Sequence, residues 1–282
     1  MTQVVACING IGERVEAICD TSAWASRALQ APLKLLHVLD KREYPTSEES
    51  APLSGTIGLG ARETLLEQLA SLDEQRGKLA REQGRLMLAA ALERAQQDDA
   101  FEPTTLQRHG DLLSTLAEEQ NSTRLLVLGK GSHGDPLGVH IEPVIRALHR
   151  PILVTDRALI APKKFLMAYD GSSTARKALD MVAKSPLLKG AECELLMVGP
   201  ATFDFKKELE AAERSLINAG FSVNTTLTAG DVEEVILERE AEVGAELLVM
   251  GAYGHSRIRQ MLVGSTTSTL LRKSPTPILL LR

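Results

Sequence analysis

The chain has 282 residues, 44% of them hydrophobic and 3% aromatic, with a formal net charge of −5 and a pI of about 5.8. That length suggests about two domains, whose cores must be aliphatic, as in buried parallel sheets. The acidic balance argues against global attraction to nucleic acid or to an anionic membrane. Cys7, Cys19 and Cys193 include no CxxC pair, which fits a reducing compartment better than a disulfide framework. The N-terminal stretch has neither a basic nor a long apolar region, and no uncharged run reaches the ~18 residues of a membrane span. A cytoplasmic protein is expected.

In chain order the apolar segments come as two matching series. The first is VVACINGI (4–11), LLHVLD (35–40), RLLVLGKGSHG (124–134) and RALHRPILVTD (146–156). The second is FLMAYDGS (165–172), LLMVGP (195–200), ELLVMGAYGHS (246–256) and LLRKSPTPILL (270–280). The same order implies two homologous halves, residues 1–156 and 157–282. The offset between partners falls from 160 at the second pair to 122 at the third, so the first half carries 160 − 122 = 38 extra residues. They fall between Ser54 and Asp99, in a stretch rich in Ala, Leu, Glu, Gln and Arg. Those are strong helix formers and predict one long helix, with a break expected near Gly77 or Gly84.

In the second half the pattern predicts strands near 164–169, 192–198, 222–227, 246–250 and 277–281, and helices near 173–184, 205–219, 231–243 and 265–273. Buried strands alternating with helices imply parallel sheets with right-handed crossovers. Ligands of such sheets bind beyond the carboxyl ends of the strands.

Two strand ends carry telling residues. Strand one ends Tyr169-Asp170-Gly171-Ser172. Strand four ends Met250-Gly251 and runs into a loop holding Gly254, His255, Arg257, Arg259, Gly264 and Ser265. A glycine after a buried strand allows close approach of a ligand. Gly264-Ser265 opens a helix whose free N–H groups suit a phosphate, with Ser265, Thr266 and Thr267 as further donors.

The spacing G-x2-G-x9-G-[ST], met by Gly251, Gly254, Gly264 and Ser265, resembles the ATP-binding signature of the universal stress protein family. The resemblance covers essentially the whole chain, as two tandem domains. It implies α/β domains of the adenine-nucleotide α-hydrolase-like kind, each an open five-stranded parallel sheet in the order 3-2-1-4-5. It also implies pairing through the fifth strands, here PILVT (151–155) and PILLL (277–281), an intramolecular pseudo-dimer that leaves room for a homodimer. Carried over by position, Asp170 is the acidic residue near the nucleotide and any bound metal. Val198 is the apolar contact to adenine. Met250 and Gly251 line the cleft near ribose and base, and Gly254, Gly264, Ser265 and Thr266 hold the phosphates. Arg257 supplies local positive charge. The implied ligand is ATP, ADP or AMP, with or without Mg²⁺.

The first half departs from this pattern. Asn9 replaces the strand-one acid. The loop keeps Gly129 but has Gly131, Gly134 and Gly138-Val139, and it is four residues shorter. Asp135 and Glu142 put negative charge where phosphates would sit. No nucleotide is expected there. His133, Asp135, His140 and Glu142 are metal-capable types, but their spacing matches no zinc pattern.

No Ser-His-Asp set, G-x-S-x-G elbow or Walker lysine is present. The sequence supplies no base for phosphoryl transfer, so little or no hydrolysis is expected. The leading expectation is an ATP-binding stress-response or regulatory protein acting on an unknown protein partner. The alternatives are an interaction module working through the long helix, and a slow ATPase or adenylating enzyme.

Overall fold

The computed structural model describes residues 2–10, 12–39, 59–130, 138–251 and 265–282. The first five strands are β1 (Gln3–Cys7), β2 (Leu33–Leu39), β3 (Thr104–His109), β4 (Thr123–Gly129) and β5 (Ile152–Thr155). The second five are β6 (Lys164–Ala168), β7 (Glu192–Val198), β8 (Ser222–Thr228), β9 (Leu247–Gly251) and β10 (Ile278–Leu281). Along β4, Leu125 and Val127 face one apolar layer while Leu126 and Leu128 face the other. The period of two delivers successive side chains to opposite faces, so a continuous apolar run fills both layers at once.

The sheet order is β3-β2-β1-β4-β5-β10-β9-β6-β7-β8, two copies of 3-2-1-4-5 set back to back. Within each copy neighbours are parallel. The copies join through β5 and β10, which pair antiparallel with Leu279 opposite Leu153. Expected order and expected pairing are both present. Around the joint, Lys130 donates to the Ser274 carbonyl at 2.9 Å, and Arg282 Nη1 donates to the Leu148 carbonyl at 2.7 Å. The Leu159 N–H donates to Thr21 Oγ1 at 2.9 Å.

The helices are α1 (Glu13–Leu29), α2 (Leu59–Gln97), α3 (Leu112–Glu119), α4 (Gly138–Ala147), α5 (Ser173–Lys184), α6 (Phe203–Asn218), α7 (Val232–Val243) and α8 (Ser265–Lys273). In the second half they fall within two residues of their expected limits. Cys193, in β7, and Cys19, on α1, are buried, while Cys7 is only partly covered. Burial pushes the Cys19 thiol up to about 12.

The long helix corrects one expectation, because α2 runs 39 residues without a break at Gly77 or Gly84. Its C-terminal part is held to α1 by Arg94, whose Nε donates to Asp20 at 2.5 Å and whose Nη1 donates to Glu16 at 2.9 Å. Gly84 marks a close approach rather than a hinge. A Cβ there would lie 2.5 Å from Gln107 Nε2 and 2.6 Å from His37 Cδ2. The His37 ring is buried, with Nδ1 2.8 Å from the Ile8 carbonyl oxygen. At Gly77 a Cβ would meet nothing within 4 Å. The two glycines should therefore respond oppositely to the same change. Gly77→Ala is expected to raise the unfolding free energy by about 1 kcal/mol, the helix-propensity gain. Gly84→Ala should lower it by about 1–3 kcal/mol through overpacking. Urea denaturation of both variants checks the signs, and a stabilised Gly84→Ala would overturn the close-approach account.

Candidate functional site

In the second half the sheet reverses direction at β6, with β7 and β8 on one side and β9 and β10 on the other. Beyond that reversal the crossover helices part and leave a crevice. A cavity of about 330 Å³ lies there, at the carboxyl ends of β6, β7 and β9. One wall is apolar: Leu196 and Val198 from β7, Ile236 from α7 and Met250 from β9. The polar part of the lining is Asp170 and Ser172 after β6, and Thr266 and Thr267 in the first turn of α8.

Local sequence explains the turn after β6. Gly171 has a φ of 70°, in the left-handed region that glycine occupies without penalty. Asp170 Oδ1 accepts the Ser172 N–H at 2.9 Å, closing the turn. Ser172 then caps α5, its Oγ accepting the Ala175 N–H at 3.1 Å. The exposed Asp170 carboxylate is thereby held at the cavity mouth. Behind the turn, the Tyr169 hydroxyl donates to Glu208 Oε1 at 2.6 Å. Arg176 donates to both Glu208 oxygens, at 2.8 and 2.9 Å. This bidentate bond from Arg176, followed by that from Tyr169, holds the Glu208 carboxyl below its ordinary range. Burial and the neighbouring carboxylate push the Tyr169 hydroxyl up.

Gly251 has a structural duty that sequence did not suggest. A Cβ on it would lie 3.3 Å from the Ala175 nitrogen, so its bareness admits the first turn of α5 against the end of β9. Five of the expected residues surround the one cavity: Asp170, Val198, Met250, Gly251 and Thr266. Ser265 opens α8 at the place expected for it. Gly254, Arg257 and Gly264 lie outside the described residues, as do His255 and Arg259. Val198 and Met250 also pack in the apolar layer on their side of the sheet, so each is both core and cavity wall. Sequence reading missed Leu196, Val232 and Ile236. The signal was there: Leu196 shares a strand face with Val198, and Val232 and Ile236 are one helical turn apart.

At the matching edge of the first half the fittings differ. A Cβ on Gly129 would lie 2.7 Å from Ile18 Cδ1, so a side chain of α1 closes on that strand end. Gly12 precedes α1 with no capping side chain. Lys130 is turned into the joint between the halves. Glu142 meets Arg272 at 3.4 Å across the same joint. Gly131, His133, Gly134 and Asp135 lie outside the described residues, and nothing is described of the side chains of Val139 and His140. Among the described residues no three His, Cys, Asp or Glu gather as metal ligands. No helix among them is long and apolar enough to cross a membrane.

A parallel α/β sheet with a crevice at its reversal point defines a ligand-binding class of fold. The universal stress protein family model matches residues 200–282. Universal stress protein Slr1230 of Synechocystis is 34% identical over 289 residues, covering 100% of both chains. The chain belongs to the universal stress protein family. The fold extends through its whole length: a universal stress protein from Archaeoglobus fulgidus matches 99% of this chain and 98% of its own, at 16% identity and a TM-score of 0.72. A universal stress protein solved in complex with cAMP matches 43% of this chain at 24% identity and a TM-score of 0.39, a likeness too slight to carry a ligand across.

The Glu208 network predicts a pH dependence. A carboxyl whose folded pKa is depressed contributes stability above its unfolded pKa, and that contribution is lost as pH falls through the folded value. Arg176→Met should remove the main cause of the depression. The acid-unfolding midpoint is then expected to move to higher pH, with stability below the carboxylate range little changed. Circular dichroism across an acid titration reads this, and an unmoved midpoint would count against the network.

Proposed function

We propose that the second half binds an adenine nucleotide in the cavity at the β6 reversal, and that the protein is a nucleotide-responsive regulator of stress physiology. The observation that carries the reading is a cavity whose lining joins the apolar side chains of β7, α7 and β9 to hydroxyls in the first turn of a helix. The base takes the apolar wall of Leu196, Val198, Ile236 and Met250. The phosphates take the N-terminus of α8, where Ser265 and Thr266 stand and where free N–H groups and the helix dipole favour an anion. Gly254, Gly264 and Arg257 complete that side on the strength of their spacing in the sequence. Asp170 fits a Mg²⁺ ion shared with the phosphates, since such ions take few protein carboxylates and leave the remaining positions to phosphate and water.

On this reading the chain divides at residues 156 and 157, and the first half is a partner rather than a second site. Its strand end is filled by Ile18, and its Lys130 serves the joint. Among the described residues the cavity lining holds one carboxylate, Asp170, which this reading gives to the metal, so occupancy rather than turnover is the output. It is read by a protein partner in the cytoplasm.

Titration calorimetry with ATP and Mg²⁺, after any carried nucleotide has been stripped, is expected to give one site per chain. Gly264→Asp should abolish it by placing a carboxylate at the helix start. Asp170→Asn should weaken binding with Mg²⁺ more than binding without it. Two sites per chain would overturn the reading of the first half, and no binding would overturn the nucleotide altogether. Steady-state hydrolysis well above ~1 s⁻¹, the low end of typical turnover, would overturn the reading as a non-catalytic binder.

A further inference from the structure

Another cavity, of about 300 Å³, lies where the two halves meet. Its lining takes Leu29 and Leu125 from the first half and Leu187, Leu188, Leu279 and Leu281 from the second. All six are buried, none more than 8% exposed, and all belong to one apolar layer of the sheet. Leu196, Val198, Ile236 and Met250 of the cavity at the β6 reversal belong to the other layer, and the two cavities share no lining residue. The volume is at the lower end of ligand pockets, which run to about 300–1,000 Å³. At about 30 Å³ for each water-sized group it holds on the order of ten non-hydrogen atoms.

The polar part of the lining is small: Arg124 at the start of β4, and Asp180, Lys184 and Ser185 at the end of α5. Lys184 is spent on Asp180 at 2.5 Å, with both side chains more than half exposed, so that part of the lining meets solvent. The Ser185 hydroxyl accepts the Leu187 N–H at 3.2 Å. Arg124 is partly buried and donates from Nη1 to the Leu29 carbonyl at 2.9 Å. Its other donors have no bonded partner, and its charge has no ion-pair partner, among the described residues. At the matching position of the second half stands Glu246, of opposite charge, which accepts the Lys163 N–H at 2.6 Å. The repeat therefore supplies this arginine once per chain.

We propose that the cavity binds a small aliphatic carboxylate, its chain against the leucines and its carboxylate on Arg124. A guanidinium presents its donors as a planar fork that matches a carboxylate. An uncharged chain of the same size would cover those donors and leave them unpaired, which costs binding energy. A phosphate monoester would bring up to two charges to one free cation. The site does not depend on the nucleotide reading.

Titration calorimetry of the full chain with octanoate, a chain of about ten non-hydrogen atoms, tests this. One site per chain is expected. Arg124→Met should weaken octanoate about tenfold or more, the worth of a hydrogen bond to a charged group, and leave 1-octanol little changed. Met181 lines the cavity from a partly exposed position, so Met181→Trp should occlude the cavity without overpacking the core, and circular dichroism confirms the fold. That variant should weaken both ligands. Gly264→Asp, aimed at the nucleotide, should leave octanoate binding unchanged. A wild-type chain that takes no octanoate, or takes it indifferently to Met181→Trp, overturns the proposal. Loss of octanoate binding in Gly264→Asp would put the ligand in the nucleotide cavity and overturn it as well. An equal effect of Arg124→Met on octanoate and 1-octanol overturns the assignment of the carboxylate.

Discussion

Everything else in the molecule rests on the antiparallel pairing of β5 with β10. Each is the last strand of its half and would otherwise be a bare edge, a row of unpaired N–H and C=O groups open to any passing strand. Joined, they turn two five-stranded sheets into one and bury Ile152, Leu153, Val154, Ile278, Leu279 and Leu280. Apolar burial of this order is worth about 2 kcal/mol for each such side chain before entropy is subtracted. The surrounding bonds from Lys130, Arg272 and Arg282 depend on it for their geometry. A one-residue slip of the pair would turn every leucine to the wrong layer.

The pairing also explains why the halves were free to diverge. Two identical halves would present two cavities. Here the residues at the strand ends of the first half have gone to packing and to the joint, while those of the second half remain around a cavity. Ile18 closes on Gly129, whereas the atoms nearest a Cβ on Gly251 are backbone atoms of α5. The different helix starts follow suit: α5 has its Ser172 cap fixed by Asp170, and α1 begins after Gly12 without one.

Much of this was legible in the sequence because it was written twice. Repetition fixed the strands, and the break in spacing exposed the long helix. Of the five residues now around one cavity, Asp170, Met250, Gly251 and Thr266 stand at strand ends and a helix start that the sequence marks, and Val198 came from the family resemblance. The misses have physical causes. Gly84 looked like a helix breaker because propensity is local, and only the third dimension shows the His37 ring lying where its side chain would be. Glu142 looked like a charge aimed at a phosphate, and Arg272, which it meets, is 130 residues away in the chain. Leu196 and Ile236 passed unremarked because an apolar residue in a buried strand or helix carries no mark of lining a cavity. The period of two from Val198 was the available clue.

The helix α8 links two places that the sheet keeps apart. Its first turn puts Thr266 and Thr267 on the cavity. Just past its last turn, Ser274 and Thr276 both hydrogen-bond the buried Glu240, and their carbonyls face Lys130 of the other half. Burial pushes the Glu240 carboxyl up and the Lys130 ammonium down. At 9 residues α8 spans about 14 Å. It is a short strut with one end at the crevice and the other bonded into the joint. Whatever fills the crevice therefore borders a helix whose far end is tied to the first half of the chain.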